Sequence, residues 1–197
     1  MAWVAHSWGR FNLKHAGVTL EVHNRNYLTH TPALFVVNHQ SMLDVFIMSS
    51  LLPYKTLPIA KKSFGHIPIL GWFLKAIGAV LIDRYNPQKA LEGMKYAREI
   101  IERGFSIVIA PEGTRTKTGE LQPLKKGAFY LAIQTKLPMI LVTIVGAYSL
   151  FPKSSWIPKK GPVAVFIDPP LPTEQWTIET IPQHMEDVRS VFLSHLR

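Results

Sequence analysis

Short, almost uninterrupted apolar runs alternate along the chain with longer stretches in which apolar residues recur every three or four positions. Residues 33–37 (ALFVV) form the clearest run, which is typical of a strand buried on both faces of a sheet. Residues 88–103 have the helical period, and Gly104 directly after them is a typical helix end. The same patterns predict further strands at 18–22, 79–82, 105–110, 139–145 and 163–167, and further helices at 2–15, 42–52, 127–135 and 182–196.

Strands that alternate with helices are typical of a layered α/β domain. The length of 197 residues fits one such domain over residues 1–197, with a mixed, largely parallel β-sheet flanked by helices. We place an N-terminal amphipathic helix at residues 1–15 and a C-terminal helix at 182–196. Open α/β sheets bind ligands beyond the carboxyl ends of their strands, so polar residues directly after the strands are the candidate site residues.

For two apolar segments, the sequence does not decide between contact with a membrane and packing within the protein. Val4, Trp8 and Phe11 share one face of the first helix, which suits either a membrane interface or packing on the core. Residues 67–82 (IPILGWFLKAIGAVLI) are shorter than the roughly 20 residues of a membrane span and carry Lys75 near their centre. They predict either a segment that lies against a bilayer surface or a buried helix followed by a strand.

Composition narrows the partners and the chemistry. The chain has 22 Lys and Arg against 13 Asp and Glu, a net charge of +9, which favours nucleic acid, phosphorylated metabolites or an acidic membrane surface. It contains no cysteine, which excludes disulfides, thiol nucleophiles and cysteine-ligated metals. The first residues lack the basic region and continuous apolar core of a secretory signal.

The first polar cluster follows the strand at 33–37 and contains Asn38, His39 and Asp44. Ser41 and Asp44 have the spacing of a capping box, which explains both residues without catalysis. It does not explain His39, whose imidazole is expected to extend from the strand end into a cleft. If Asp44 accepts a hydrogen bond from one ring nitrogen, the other nitrogen can take a proton from a substrate hydroxyl. The spacing alone leaves helix capping and catalysis both open.

The second polar cluster, residues 111–115 (PEGTR), follows the strand at 105–110. Gly113 lets the backbone approach a ligand closely, Thr114 offers a hydroxyl, and the planar guanidinium of Arg115 suits a phosphate. A surface turn with an Arg–Glu pair is the alternative. Further cationic residues in the same set of loops favour a phosphate site. They are Lys61, Lys62, Arg84, Lys125 and Lys126.

Four blocks of the sequence, taken in order, resemble the 1-acyl-sn-glycerol-3-phosphate acyltransferase family, also called lysophosphatidic acid acyltransferases. His39 and Asp44 in NHQSMLD match the family's signature of a histidine, four residues and an aspartate. The second block is KKSFGHIPILGWFLKAIGAVLIDR, the third is PEGTR followed by LKKGA, and the fourth is LPMILVTI. The resemblance extends over residues 9–172, which is most of the chain.

The resemblance implies transfer of a fatty acyl group from a thioester, acyl-CoA or acyl carrier protein, to the sn-2 hydroxyl of lysophosphatidate, forming phosphatidic acid. His39 is then the general base, Asp44 fixes its tautomer, and Lys61, or Lys62 in its place, stabilises the oxyanion together with a backbone N–H near Gly113. The implied acceptor-binding residues are Asn38, Arg84, Glu112, Gly113, Thr114, Arg115 and Lys126. No cofactor and no metal is implied.

The resemblance also implies a membrane-associated protein, peripheral or monotopic, at the cytoplasmic face of the cell membrane. Its expected partners are lysophosphatidate, an acyl thioester, the anionic membrane surface and, in one alternative, acyl carrier protein, but no nucleic acid. Many members carry an extra hydrophobic stretch ahead of the matched region, where this sequence has almost nothing before Trp8. Either the sequence is truncated, or attachment relies on the N-terminal helix, residues 67–77 and basic charge.

Two other functions compete with this one. The same reaction with another acceptor, glycerol 3-phosphate or a lyso-ornithine lipid, is poorly separated by sequence. A non-catalytic module that holds anionic lipid or nucleic acid is the second alternative. It leaves His39 and Asp44 unexplained, and the basic residues lack the interleaved aromatics of a single-strand platform.

Overall fold

The predicted strands assemble into one seven-stranded sheet in a computed structural model that describes residues 2–68, 70–83 and 87–197. The strands are β1 (Val18–His23), β2 (Leu34–Val37), β3 (Thr56–Lys61), β4 (Val80–Ile82), β5 (Ser106–Ile109), β6 (Met139–Val145) and β7 (Gly161–Ile167). The helices are α1 (Ala2–His15), α2 (Leu43–Leu51), α3 (Leu70–Ala76), α4 (Pro87–Glu102), α5 (Gly127–Thr135), α6 (Ala147–Leu150) and α7 (Ile181–Leu196). The α/β class and the mixed, largely parallel sheet are confirmed.

The order of strands across the sheet is β1-β7-β6-β2-β5-β3-β4. Strands β2 to β6 all run parallel, β7 runs antiparallel to β6, and β1 runs parallel to β7. The carboxyl ends of β2, β3, β4, β5 and β6 therefore meet at one edge of the sheet. We call it the carboxyl edge.

Apolar residues of β2 alternate between the two faces of the sheet, as its uninterrupted run predicts. Leu34 and Val36 pack in a cluster with α4, α5 and α7. Phe35 and Val37 pack in a second cluster with α1 and α2. All four side chains are at most 5% exposed, so β2 is fully enclosed between two layers of helices and fixes the residues that follow it.

Helix α1 packs against α2, but not through the face that the sequence pattern selects. Its buried residues are Gly9 and Leu13, whereas Val4 and Phe11 are exposed and Trp8 is half-buried. A Cβ atom added at Gly9 would lie 2.6 Å from the carbonyl oxygen of Phe46. Glycine is needed at position 9 because any side chain there would keep the backbones of α1 and α2 apart. Since the helices pack through Gly9, the predicted apolar stripe of α1 is left partly exposed.

Within residues 67–82 the structure describes helix α3 (Leu70–Ala76) and strand β4 (Val80–Ile82), which agrees with one of the two arrangements that the sequence left open. Leu74 is buried, while Trp72 on the same helix is 76% exposed and Ile67, ahead of the helix, is 45% exposed. The helix therefore packs on the protein through one face and leaves Trp72 exposed to solvent. None of the helices in the described residues is long and apolar enough to cross a bilayer.

Strand β3 was not predicted, because Pro58 lies in its middle and a proline argues against an inner strand. Its first half, residues 56–58, pairs with β5, and its second half, from Ile59 to Lys61, pairs with β4. Pro58 thus lies where the strand pairs on one side, before β4 joins it. The missing N–H of the proline is tolerated at such a position.

Candidate active site

Three groups of predicted site residues come together at the carboxyl edge. The pairs Val36↔Ile109 and Pro58↔Val108 define the registers of β2 and β3 on β5. Continuing both registers brings His39 and Glu112 side by side and places Lys61 next to Pro111. Because neighbouring strands lie about 4.8 Å apart, Lys61 is about 10 Å across the sheet from the end of β2. The histidine, the PEGTR segment and the lysine therefore share one cleft edge.

His39 and Asp44 form the dyad that the sequence suggested. The Nδ1 atom of His39 lies 2.9 Å from Oδ2 of Asp44. The side chain of Asp44 is 3% exposed and that of His39 is 25% exposed. With Nδ1 donating to the carboxylate, the proton-accepting nitrogen of the neutral ring is Nε2. This geometry is what a general base with an orienting carboxylate requires, and the catalytic roles of the two residues stay predictions.

The start of α2 holds the carboxylate of Asp44 in place. Its Oδ2 atom also accepts hydrogen bonds from the backbone N–H groups of Gln40 at 2.7 Å and Ser41 at 2.8 Å. The Ser41 hydroxyl accepts from the N–H of Leu43 at 3.1 Å and donates to the carbonyl of Phe151 at 2.7 Å. Capping and dyad formation are therefore compatible, because the turn that begins the helix also fixes the carboxylate against His39.

The carboxylate of Glu112 accepts hydrogen bonds from two backbone N–H groups, one of which belongs to His39. Its Oε1 accepts from the N–H of His39 at 2.6 Å, and its Oε2 accepts from the N–H of Gln122 at 2.8 Å. Burial raises the pKa of Glu112 from its ordinary value of 4.5 to about 7, while the two backbone hydrogen bonds lower it. The negative charge of Asp44 adds to the rise. A second carboxyl group is thus buried beside the dyad.

Residues 111–126, which we call the 111–126 loop, hold His39 from the other side as well. The N–H of Thr116 donates to the carbonyl of His39 at 3.1 Å. The hydroxyl of Thr116 accepts from the N–H groups of Thr118 at 3.2 Å and Gly119 at 3.1 Å. The carbonyl of Gly119 accepts from the side chain of Gln40 at 3.0 Å. The loop and the turn after β2 therefore form one hydrogen-bonded unit.

Two of the predicted acceptor-binding residues, Asn38 and Glu112, are buried in the protein. Asn38 is fully buried, and its side-chain amide donates to the carbonyl of Ile144 at 2.9 Å and accepts from the Ile144 N–H at 2.7 Å. Glu112 is 2% exposed and both of its oxygens accept from backbone N–H groups. Both side chains thus bind backbone groups of the protein in this structure, and their predicted contact with the substrate stays a prediction.

The remaining predicted residues are accessible. Thr114 and Lys126 are exposed, Gly113 and Arg115 are half-buried, and Lys61 is half-buried at the end of β3. Gly113 has a φ of 73°, a left-handed conformation that favours glycine, and its N–H donates to the carbonyl of Ala110 at 3.0 Å. Arg84 lies outside the described residues. The roles of these residues toward a ligand stay predictions.

Sequence reasoning missed Gln40, Thr116, Gln122 and Tyr148. Tyr148 donates from its hydroxyl to the carbonyl of Lys117 at 2.8 Å, and its ring lies where a Cβ on Gly119 would meet it at 2.8 Å. The sequence carried a signal only for Thr116. A threonine followed two and three residues later by Thr118 and Gly119 is typical of a turn that the threonine hydroxyl stabilises. Gln40, Gln122 and Tyr148 carry no comparable signal.

One cavity lies near the site and another lies far from it. The first, of about 580 Å³, is lined by Gln40, the residue after His39, and by Gly119, Tyr148 and Arg189. It has the volume of a small-molecule site. The other, of about 550 Å³, lies at the opposite end of the sheet near His6. Among the described residues, no group of three or more histidine, aspartate or glutamate side chains is arranged to hold a metal ion.

Comparison with known proteins gives a consistent result. A family model described as Acyltransferase matches residues 19–145. A 1-acyl-sn-glycerol-3-phosphate acyltransferase of Cocos nucifera is 35% identical over 85% of this chain and 55% of its own length. One of Saccharomyces cerevisiae is 33% identical over 92% of this chain and 61% of its own length.

The chain thus spans only 55% and 61% of these two relatives. A solved structure, the 1-acyl-sn-glycerophosphate acyltransferase PlsC from Thermotoga maritima, superimposes with a TM-score of 0.84. That alignment covers 100% of this chain and 80% of the other, at 24% identity, and it supports the fold.

Proposed function

The chain belongs to the acyltransferase family, and from this premise we propose that it transfers a fatty acyl group to the sn-2 hydroxyl of 1-acyl-glycerol 3-phosphate, forming phosphatidic acid. The donor is a thioester, either acyl-CoA or acyl carrier protein. The observation that carries the proposal is the dyad at the carboxyl edge, in which Nδ1 of His39 is 2.9 Å from Asp44. The relatives of Cocos nucifera and Saccharomyces cerevisiae carry the name of this activity.

The proposed reaction needs no nucleophile from the protein. Nε2 of His39 takes the proton of the acceptor hydroxyl as its oxygen attacks the thioester carbonyl. Asp44 stabilises the imidazolium that forms. When the tetrahedral intermediate collapses, the carbon–sulfur bond breaks and the imidazolium returns its proton to the thiolate. The products are the new ester and a free thiol, and the dyad regains its starting state.

Lys61 is our candidate for stabilising the oxyanion, with Lys62 as its alternative. Lys61 ends β3 at the carboxyl edge, about 10 Å from the end of β2 across one intervening strand. A lysine side chain of ordinary length extends over much of that distance. A cation positioned before the reaction stabilises the developing charge without reorganisation.

We propose that Arg115 binds the phosphate of the acceptor, with Gly113 and Thr114 beside it and Lys126 and Arg84 as further contributors. Arg115 is half-buried and directly precedes Thr116, which holds the carbonyl of His39. A guanidinium in this position can bind phosphate oxygens in pairs. The phosphate and the hydroxyl that reacts are then held on one hydrogen-bonded unit.

We further propose peripheral attachment to the cytoplasmic face of the membrane, where the acceptor resides. Exposed aromatic residues support it: Phe64 after β3 is 43% exposed and Trp72 on α3 is 76% exposed. The net charge of +9 favours an anionic surface. Acyl carrier protein remains the alternative donor partner.

Incubating the protein with lysophosphatidate and either thioester tests the reaction, with the lipids separated afterwards. Because the chain contains no cysteine, a thiol reagent detects the released thiol without a protein background. His39→Ala should abolish transfer, while His30→Ala, an exposed histidine before β2, should not. Undiminished transfer by folded His39→Ala protein would exclude the dyad mechanism.

Arg115→Ala tests the phosphate site. Hydrogen bonds to charged groups are worth about 1.5–3 kcal/mol, so the KM for lysophosphatidate should rise roughly 10- to 100-fold. The KM for the thioester should stay unchanged. Arg103→Ala is a matched control, because it removes an exposed arginine at the opposite edge of the sheet. An unchanged KM for lysophosphatidate removes Arg115 from the phosphate site.

A further inference from the structure

The loop between α6 and β7, residues 151–160, presents two large apolar side chains to solvent. Trp156 is 95% exposed and Ile157 is 78% exposed, the two highest values among the large apolar residues of the described chain. A tryptophan and an isoleucine side by side, almost without protein contact, form an apolar tip that the fold does not bury.

Several backbone groups of the 151–160 loop are hydrogen-bonded within the loop or at its base. The N–H of Ser155 donates to the carbonyl of Pro152 at 3.0 Å, and the Ser155 hydroxyl donates to the carbonyl of Ile157 at 2.8 Å. The N–H of Lys159 donates to the carbonyl of Leu150 at 2.8 Å and closes the loop at its base. Internal hydrogen bonds lower the cost of moving a tip out of water, because fewer polar groups lose their partners.

Cations flank the apolar tip on both sides. Lys153, Lys159 and Lys160 are all exposed, and the described loop contains no acidic residue. A Cβ atom built on Gly17 would lie 2.6 Å from Cγ of Lys160, which shows that the Lys160 stem packs closely on the end of α1. The apolar tip is thus surrounded by positive charge. This arrangement complements a bilayer surface, in which hydrocarbon lies beneath anionic headgroups.

The loop lies at the carboxyl edge, next to the dyad. Strand β7 is antiparallel to β6, so its first residue, Gly161, lies where β6 ends. The carbonyl of Phe151, at the base of the loop, accepts from the hydroxyl of Ser41 at 2.7 Å. Ser41 in turn donates its N–H to the carboxylate of Asp44 at 2.8 Å. A surface that holds the loop would therefore also hold the reactive cleft close to itself.

We propose that the 151–160 loop inserts Trp156 and Ile157 into an anionic lipid bilayer and docks the carboxyl edge on the membrane surface. The proposal deepens the proposed function, on which it rests for the lipid acceptor that the bilayer presents. A docking site for an acidic carrier protein is the competing use of the loop. The bilayer is favoured because the apolar tip projects with almost no surrounding surface, whereas protein interfaces enclose such anchors in a rim.

Vesicle sedimentation tests the proposal without reference to acyl transfer. The full chain should bind vesicles of phosphatidylcholine with one third phosphatidylglycerol more tightly than pure phosphatidylcholine vesicles, since each lysine near an anionic surface strengthens binding about fivefold. The double variant Trp156→Ser/Ile157→Ser should bind the anionic vesicles at least about tenfold more weakly. Both side chains are exposed, so folding should be unaffected.

A control variant removes another exposed isoleucine, at a position far from the loop. Ile178 is 60% exposed and lies two residues after Trp176, whose carbonyl accepts from Lys136 just before β6 begins. That position is at the opposite edge of the sheet. Ile178→Ser should bind vesicles like the unaltered chain, and a loss equal to that of the double variant would overturn the loop's specific role.

Tryptophan quenching locates the tip directly. The chain has five tryptophans, and Trp156→Phe keeps an apolar tip while removing one of them. With brominated lipids, the unaltered chain should lose more fluorescence on vesicle binding than Trp156→Phe does. Equal absolute losses of fluorescence in the two proteins would show that Trp156 stays in water and would overturn the proposal.

Activity then separates this proposal from the proposed function. The double variant should acylate a short-chain lysophosphatidate dissolved as monomers at the unaltered rate, but a vesicle-embedded acceptor at least about tenfold more slowly. If no protein form transfers acyl groups, the proposed function fails while the sedimentation result still stands. If the variant binds vesicles normally and loses only transfer from acyl carrier protein, the loop docks the carrier protein and the membrane proposal is overturned.

Discussion

Asp44→Asn removes the charge of the dyad while keeping most of its geometry. Oδ2 of Asp44 accepts from Nδ1 of His39 and from the N–H groups of Gln40 and Ser41. An asparagine can present its carbonyl oxygen to the same three donors. Within the described residues, the other carboxylate oxygen, Oδ1, is buried without a partner. The amide nitrogen would occupy that place, so the turn and the tautomer of His39 should persist at a cost of about 1–3 kcal/mol in stability.

The catalytic loss follows from the distance between the charges. Two unit charges about 4 Å apart attract by about 4 kcal/mol at an effective dielectric constant near 20. Asp44 is 3% exposed, but the His39 side chain is 25% exposed and is partly screened by water. We therefore expect about 3–4 kcal/mol of lost transition-state stabilisation, a fall in kcat of roughly 10²- to 10³-fold.

The measurement is thiol release under saturating lysophosphatidate and acyl thioester, with folding checked by urea denaturation. Asp44→Ala is the comparison, because it leaves the N–H groups of Gln40 and Ser41 without an acceptor and should unfold more easily than Asp44→Asn. In the double variant His39→Ala/Asp44→Asn, kcat should fall no further than in His39→Ala. Full activity of Asp44→Asn, or multiplicative losses in the double variant, would refute a dyad that acts as one unit.

Two further predictions concern the 111–126 loop. Burial raises the folded-state pKa of Glu112 from 4.5 to about 7, so the folded chain binds more protons than the unfolded chain in this interval and loses stability as the pH rises through it. Between about pH 5 and 8 the unfolding free energy of the unaltered chain should therefore fall by about 2–3 kcal/mol relative to Glu112→Gln, and a constant difference would contradict this. Gly119→Ala should destabilise the chain by about 1–3 kcal/mol in urea denaturation, because φ is +90° and the new Cβ meets the ring of Tyr148 at 2.8 Å. Gly127→Ala, with no neighbour within 4 Å, should have little effect.

Much of the fold could be predicted because local pattern and tertiary environment agree. Residues 139–145 are apolar except for Thr143 and form β6 over Met139–Val145, and residues 127–135 form α5 over Gly127–Thr135. Such segments are buried on both faces or along a broad stripe, so their composition reflects their surroundings directly. The dyad was predictable for a related reason, because His39 and Asp44 belong to one turn and their contact needs only local geometry.

The rest depends on distant partners. Asn38 looks like a ligand-binding residue from its place after β2, but its amide is bonded to Ile144, which is 106 residues away. Glu112 was assigned to substrate for the same reason, and its partner His39 is 73 residues away. No sequence window contains both members of either pair. Strand β3 was not predicted because it contains Pro58. The proline is tolerated because β3 pairs with β5 through residues 56–58 and with β4 only from Ile59 onward.

The contacts around His39 connect acceptor binding to base positioning. His39 donates its N–H to Glu112 and accepts at its carbonyl from Thr116, so the 111–126 loop holds both polar groups of the His39 backbone. Arg115, the proposed phosphate ligand, is the residue directly before Thr116. A phosphate bound at Arg115 would therefore restrain the segment that fixes His39, while Asp44 restrains the ring from α2. An acceptor without phosphate would not supply this restraint. Its kcat should therefore be lower, and its KM higher, than those of lysophosphatidate.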